Sequence, residues 1–187
     1  MRTIPERFFA PPRPNRRIIT PASPECSANI LTMNAVGPAS GAWVSANDPV
    51  AIPITLPYGA VVSELGVANG SSAGDSVDIG IYDLSWNRMI SSGSQTAAGA
   101  SQIQWFDVTD TPIAPGRYYV VQVRSTVTAN RVWYVNMSAS NPVLAFIGAQ
   151  DSATDALPLP DPLTNMAEAA TATRVPIFAI AMRAHYA

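Results

Sequence analysis

The chain has 187 residues, of which 48% are hydrophobic and 13% charged, and it has no apolar run of membrane-spanning length; this suits one domain plus an appendage and excludes a helical membrane protein. All 11 basic residues are arginine, and there is one cysteine, Cys26, and one histidine, His185. That composition excludes an internal disulfide, a zinc site of three or four His/Cys ligands, a lysine Schiff base and a lysine-bearing phosphate loop.

The charge is divided. Arg2, Arg7, Arg13, Arg16 and Arg17 fall in the first 17 residues against Glu6 alone, a net of about +4, and the other six arginines face 12 acids, a net of about −6. The segment MRTIPERFFA followed by PPRP has no apolar h-region and does not read as a secretory signal. Residues 1–40 hold Pro5, Pro11, Pro12, Pro14, Pro21, Pro24 and Pro38. Proline fixes φ and removes a donor, so an extended arm is expected there. Phe8, Phe9, Ile18 and Ile19 punctuate it, as apolar anchors would on a strap lying along another surface. Arg2, Arg7, Phe8, Phe9, Arg13, Arg16, Arg17, Ile18 and Ile19 are therefore the expected partner-binding residues. Arginine pairs bidentately with carboxylates, and five charges without a structured scaffold favour a protein partner over nucleic acid.

From about Trp43 the texture becomes short strands between turns. VAIPITL, broken by Pro53, fits an edge strand. VVSELGV alternates with Val61, Ser63, Leu65 and Val67 on one face. In SVDIGIYD, Val77, Ile79 and Ile81 point one way, and Asp78, Gly80 and Tyr82 the other. DLSWNR turns the chain into RMIS, a hairpin with Trp86 at its tip. IQWFDV is a strand, TDTPIAPGR a loop, and the nearly continuous apolar GRYYVVQVR a central strand whose Tyr118 and Tyr119 face opposite sides. RVWYVNM, PVLAFI and RVPIFAIAMR complete the set, with Val132 and Tyr134 sharing a face. The stretch 148–173 reads as a long loop in which NMAEAATA forms a helical turn or two. The expectation is an all-β jelly roll or β-sandwich of about eight or nine antiparallel strands over 41–187, behind the arm 1–40.

ITLPYGAVVSELGV, SVDIGIYDLSWNRMISSG and FDVTDTPIAPGRYYVVQV, spanning about seventy residues, resemble modules of bacteriophage virion proteins: tail fibre, spike and head-decoration components. The resemblance implies a jelly-roll domain, similar in shape to carbohydrate-binding modules, with no catalytic residues and a place in the virion as a capsid-decoration or tail component.

No acyl-transfer triad can be assembled around His185, and no cofactor is implied. Asp75, Asp78 and Asp83, Asp107 and Asp110, and Asp151, Asp155 and Asp161 could offer oxygens to calcium, but without loop spacing of the EF-hand kind they read as turn and surface aspartates. Trp43, Trp86, Trp105 and Trp133 are the aromatic candidates; Trp86, at a loop tip, is the one placed for a glycan or a subunit contact. The expected role is assembly with other virion proteins or with further copies of the chain, with carbohydrate binding at a host surface as the alternative.

Overall fold

The computed structural model describes residues 16–19, 36–128, 131–136, 149–151, 157–164, 166–168 and 174–184, and these hold fourteen β-strands in three antiparallel sheets with no helix. The smaller main sheet contains β1 (Arg16–Ile19), β4 (Ala60–Ala68), β8 (Ile103–Ile113) and β14 (Phe178–Ala184), in the order β1-β14-β4-β8. The larger contains β3 (Val50–Leu56), β5 (Ser76–Tyr82), β6 (Arg88–Ser91), β9 (Gly116–Arg124), β11 (Ala149–Asp151) and β12 (Met166–Glu168), in the order β12-β11-β3-β9-β5-β6, with β7 (Gln95–Thr96) paired to β5. A third sheet, β13-β10-β2, joins β2 (Val36–Gly41), β10 (Val132–Asn136) and β13 (Arg174–Pro176).

The two main sheets bury one apolar layer between them, so the fold is an all-β sandwich. Ile52, Ile54 and Leu56 of β3, Val77, Ile79 and Ile81 of β5, and Val120 of β9 meet Val62, Leu65 and Val67 of β4 and Phe178, Ile180 and Met182 of β14. The alternation read in SVDIGIYD holds: Val77, Ile79 and Ile81 face this layer, while Tyr82 belongs to a second cluster on the opposite face. As expected of an apolar run, β9 is central, flanked by β3 and β5. The edge position expected for VAIPITL is corrected: β3 lies between β11 and β9, meeting β11 through the registered pair Gln150↔Val50 and β9 along its whole length, Pro53↔Tyr119 included.

Several expectations are corrected. In β4 the inward residues are Val62, Leu65 and Val67, because the register slips at Ser63; the extra residue shifts the phase, and Val61 leaves the core face. The TDTPI segment is strand: β8 runs to Ile113, and only Ala114 and Pro115 separate it from β9. Pro112 is accommodated because β8 is an edge strand with β4 as its partner. Met166–Glu168, expected to be helical, is a strand paired with β11, so pairing overrides the local alanine-rich propensity. RVPIFAIAMR divides at Ile177, whose N–H donates to the Trp133 carbonyl at 3.0 Å and whose own carbonyl accepts from Ala68 at 3.1 Å; β13 and β14 thus enter different sheets. PVLAFI lies outside the described residues.

The arm and the domain are not separable at residue 40. β1 pairs with β14 in the register Arg16↔Arg183 to Ile19↔Ile180. Ile19 is fully buried in the sandwich core, while Ile18 on the other face is 46% exposed. β2 likewise pairs with β10. Ile19→Ala should therefore cost about 3 kcal/mol of unfolding free energy, and Ile18→Ala less than about 0.5 kcal/mol, as read from urea unfolding of the two variants.

Candidate functional site

Two groups of side chains stand out from the packing. The first begins at the hairpin between β5 and β6. The Asp83 carboxylate accepts from the Ser85 amide at 2.8 Å, the Asn87 amide at 2.9 Å and the Asn87 side-chain amide at 2.8 Å. This Asx-type wrapping closes the turn and holds Trp86 at φ 65°, left-handed for a residue with a side chain. Trp86 then lies back on the sheet and stacks on Tyr119 of β9, with ring centroids 4.3 Å apart and planes 15° off parallel. A sugar approaching the indole meets Tyr119 on one side.

Beside this stack, residues 157–164 lie across the outer face of the larger sheet as a strap. Leu159 and Leu163 are buried with Ala51, Tyr82, Val121 and Val123. The strap is held through its main chain. The Leu159 amide donates to Asp78 Oδ2 at 2.9 Å, and its carbonyl accepts from Arg88 Nη1 at 2.6 Å. The Tyr82 hydroxyl donates to the Pro160 carbonyl at 2.5 Å, and the Leu163 amide donates to the Trp86 carbonyl at 3.0 Å. In return, the Arg88 amide donates to Asp161 Oδ1 at 2.9 Å. Asp78, fully buried, also accepts from the hydroxyls of Ser91 at 2.9 Å and Ser92 at 3.0 Å, so its charge is solvated by protein donors. Burial pushes the Tyr82 hydroxyl well above the usual tyrosine pKa, keeping it a donor. Gly80, between Asp78 and Tyr82, has to be glycine: a Cβ there would meet the Ile90 carbonyl at 2.7 Å and the Leu159 side chain at 3.4 Å.

The second group lies inside one end of the sandwich. Arg124 of β9 and Asp75 form an ion pair at 3.1 Å with side chains 0% and 1% exposed. Arg124 Nη2 also donates to Asn69 Oδ1 at 2.9 Å. The Asn69 amide donates to the Ala98 carbonyl at 2.7 Å and to Gln104 Oε1 at 2.9 Å, which ties in β8. Burial lowers the Arg124 pKa, and the Asp75 carboxylate opposes that shift. Gln122, two residues along the same face of β9, is buried without a protein partner for either amide atom.

Of the expected partner-binding residues, Arg2, Arg7, Phe8, Phe9 and Arg13 lie outside the described residues, and Arg16 and Arg17 contribute backbone to β1. Ile18 is exposed at the sheet edge, but Ile19 is spent on the domain's own core. Trp86 sits at the hairpin tip as read from the sequence, although its ring is turned onto Tyr119. Trp43 is buried, its indole donating to the Asp48 carbonyl at 2.9 Å, and Trp105 lies across Gly66 on the outer face of the smaller sheet. The aspartates do not converge: Asp75 pairs with Arg124, Asp78 and Asp161 hold the strap, Asp83 closes its turn, and Asp110 pairs with Arg183. Among the described residues, no group of three or more His, Cys, Asp or Glu side chains could hold a metal ion. The alternation of leucine and proline in LPLPDPL was the available signal for the strap, since leucines in a proline-fixed segment need a surface to cover. Comparison with protein-family models, with curated proteins and with solved structures finds no match.

Removing one member of the buried pair strands the other. Asp75→Leu or Arg124→Met alone should lower stability by about 3–5 kcal/mol, and the double variant Asp75→Leu/Arg124→Met by clearly less than the sum, as a double-mutant cycle in urea would show. Asp83 predicts a pH effect. Its hydrogen bonds, led by the Asn87 side chain, lower its folded pKa below the ordinary 3.8. The stability it contributes is present above that value and is lost as the pH falls through the lower folded pKa. The difference in Tm between wild type and Asp83→Asn, which cannot titrate there, should shrink as the pH falls through this window.

Proposed function

We propose that the chain is a structural component of a bacteriophage virion, a displayed β-sandwich joined to neighbouring subunits through its N-terminal segment. The observation that carries this reading is the capture of β1. The domain fixes Arg16–Ile19 at the rim of the smaller sheet, seals Ile19 into its core and leaves Ile18 outward. The fifteen residues that precede β1 in this sequence therefore start from a defined point on the rim. Fully extended they reach about 50 Å, enough to cross onto a neighbour. They carry Arg2, Arg7 and Arg13 against Glu6, together with Phe8 and Phe9, while residues 18–187 are net acidic. A basic, aromatic strap leaving an acidic body is complementary to a second acidic body of the same kind. The resemblance of the Ala51 to Val121 region to virion modules points the same way.

The test is light scattering on the full chain and on a chain beginning at residue 16, which keeps β1 and Ile19. The full chain should form the larger assembly, and a mixture of the two should shift toward smaller species as the truncated form is added. Equal oligomeric states for the two chains would sink the proposal.

A further inference from the structure

Directly after β4 stands the only Asn–Gly dipeptide in the chain, Asn69–Gly70. Glycine is the following residue that least hinders attack of the main-chain nitrogen on the asparagine side chain, because it has no Cβ and turns freely. In that step the Gly70 nitrogen bonds to Asn69 Cγ. Its proton ends on the departing side-chain nitrogen, which leaves as ammonia. Water then opens the cyclic imide at either carbonyl. One opening gives aspartate at position 69; the other gives isoaspartate, in which the main chain runs through the side-chain carbon. Water is the one co-reactant, and nothing is oxidised or reduced.

The folded chain holds both reacting groups still. Asn69 has no exposed surface. Its side-chain nitrogen donates to the Ala98 carbonyl at 2.7 Å and to Gln104 Oε1 at 2.9 Å, and its Oδ1 accepts from Arg124 Nη2 at 2.9 Å. The attacking nitrogen is tied as well, since the Gly70 amide donates to the Arg131 carbonyl at 3.0 Å. Gln104 is itself fixed, accepting from the Ala98 amide at 2.8 Å and donating to the Thr96 carbonyl at 3.1 Å. Attack requires the Asn69 side chain to leave its partners, the Gly70 amide to leave Arg131, and water to enter. All of these are events of local opening.

The product does not fit where the asparagine did. The Ala98 carbonyl and Gln104 Oε1 both accept from Asn69, and a carboxylate there has no proton to give, so oxygen faces oxygen on both. Turning the Gln104 amide over to serve it would break the bonds to the Ala98 amide and the Thr96 carbonyl. Isoaspartate also lengthens the main chain at the residue that bridges to Val132.

We propose that Asn69 is a self-modifying site, deamidated through Gly70, and that its hydrogen bonds to Gln104, Ala98 and Arg124 are the gate. Conversion proceeds only from the opened state of this end of the sandwich, and once it has occurred the end no longer closes as before. The inference involves neither residues 1–15 nor the virion reading.

The experiment uses the full chain, incubated folded and, separately, unfolded in urea, in the same mildly alkaline buffer. Conversion at Asn69 is read by peptide mass after digestion, with heavy-oxygen water marking the new carboxylate. The folded wild type should convert at least about tenfold more slowly than the unfolded chain. Gln104→Ala, which removes an acceptor of the Asn69 amide, should while still folded convert at least about threefold faster than the wild type. Deuterium exchange of the Gly70 amide in the same samples should rise in parallel, because one opening serves both reactions. Should Gln104→Ala fold poorly, low urea applied to the wild type supplies the same gradient of opening. Equal rates in folded and unfolded wild type would mean that there is no gate. Faster exchange at Gly70 without faster conversion, or an unfolded chain that keeps Asn69 intact, would overturn the proposal.

Discussion

The buried Arg124–Asp75 pair joins parts of the chain that belong to different layers of the sandwich. Arg124 belongs to the central strand of the larger sheet, Asp75 to the approach to β5, and Asn69 to the end of β4 in the smaller sheet. The buried guanidinium places its two Nη groups on fixed acceptors, and these come from both layers. The charge therefore sets where the sheets meet at this end, while the apolar layer, being non-directional, would tolerate small slides. Gln104 and the backbone at Thr96 and Ala98 extend the same network into the connection between β7 and β8.

A second constraint follows from β5. It is buried on both faces: Val77, Ile79 and Ile81 face the sandwich interior, and Asp78, Gly80 and Tyr82 lie on the other side. A sheet in a two-layer sandwich ordinarily leaves its outer face to water. Here the outer face is covered by residues 157–164 and by the Trp86–Tyr119 stack. The fully buried Asp78 carboxylate is the polar counterpart of this cover, since it organises two serine hydroxyls of the β6 end and one strap amide around itself. The domain is thus three layers deep where the strap lies.

The N-terminal segment obeys the logic of an edge. The smaller sheet ends on β1 at one rim and β8 at the other, and edges are sites where another chain can add or be repelled. β1 places Arg16 and Arg17 in the strand that closes this rim, and its one apolar anchor, Ile19, secures it from inside. Taken with the strap, this gives the body two extended segments, each tied to it by a short pairing and a few buried side chains.

The fold class and much of its grammar follow from local residue pattern. Val77, Ile79 and Ile81 against Asp78 and Tyr82, the hairpin at Asp83–Asn87, the central position of GRYYVVQVR and the opposite faces of Tyr118 and Tyr119 were all legible, because period-two alternation and turn chemistry are local. Tertiary structure alone decided the rest. The slip at Ser63, the continuation of β8 through Pro112, the strand at Met166–Glu168 and the burial of Ile19 each depend on what lies alongside, and pairing energy overrides local propensity there. The ion pair between Arg124 and Asp75, 49 residues apart, and the strap's grip on Asp78, 81 residues from Leu159, were likewise invisible in the chain. Alternation states which side of a strand a residue takes, but only the folded chain states what stands opposite it.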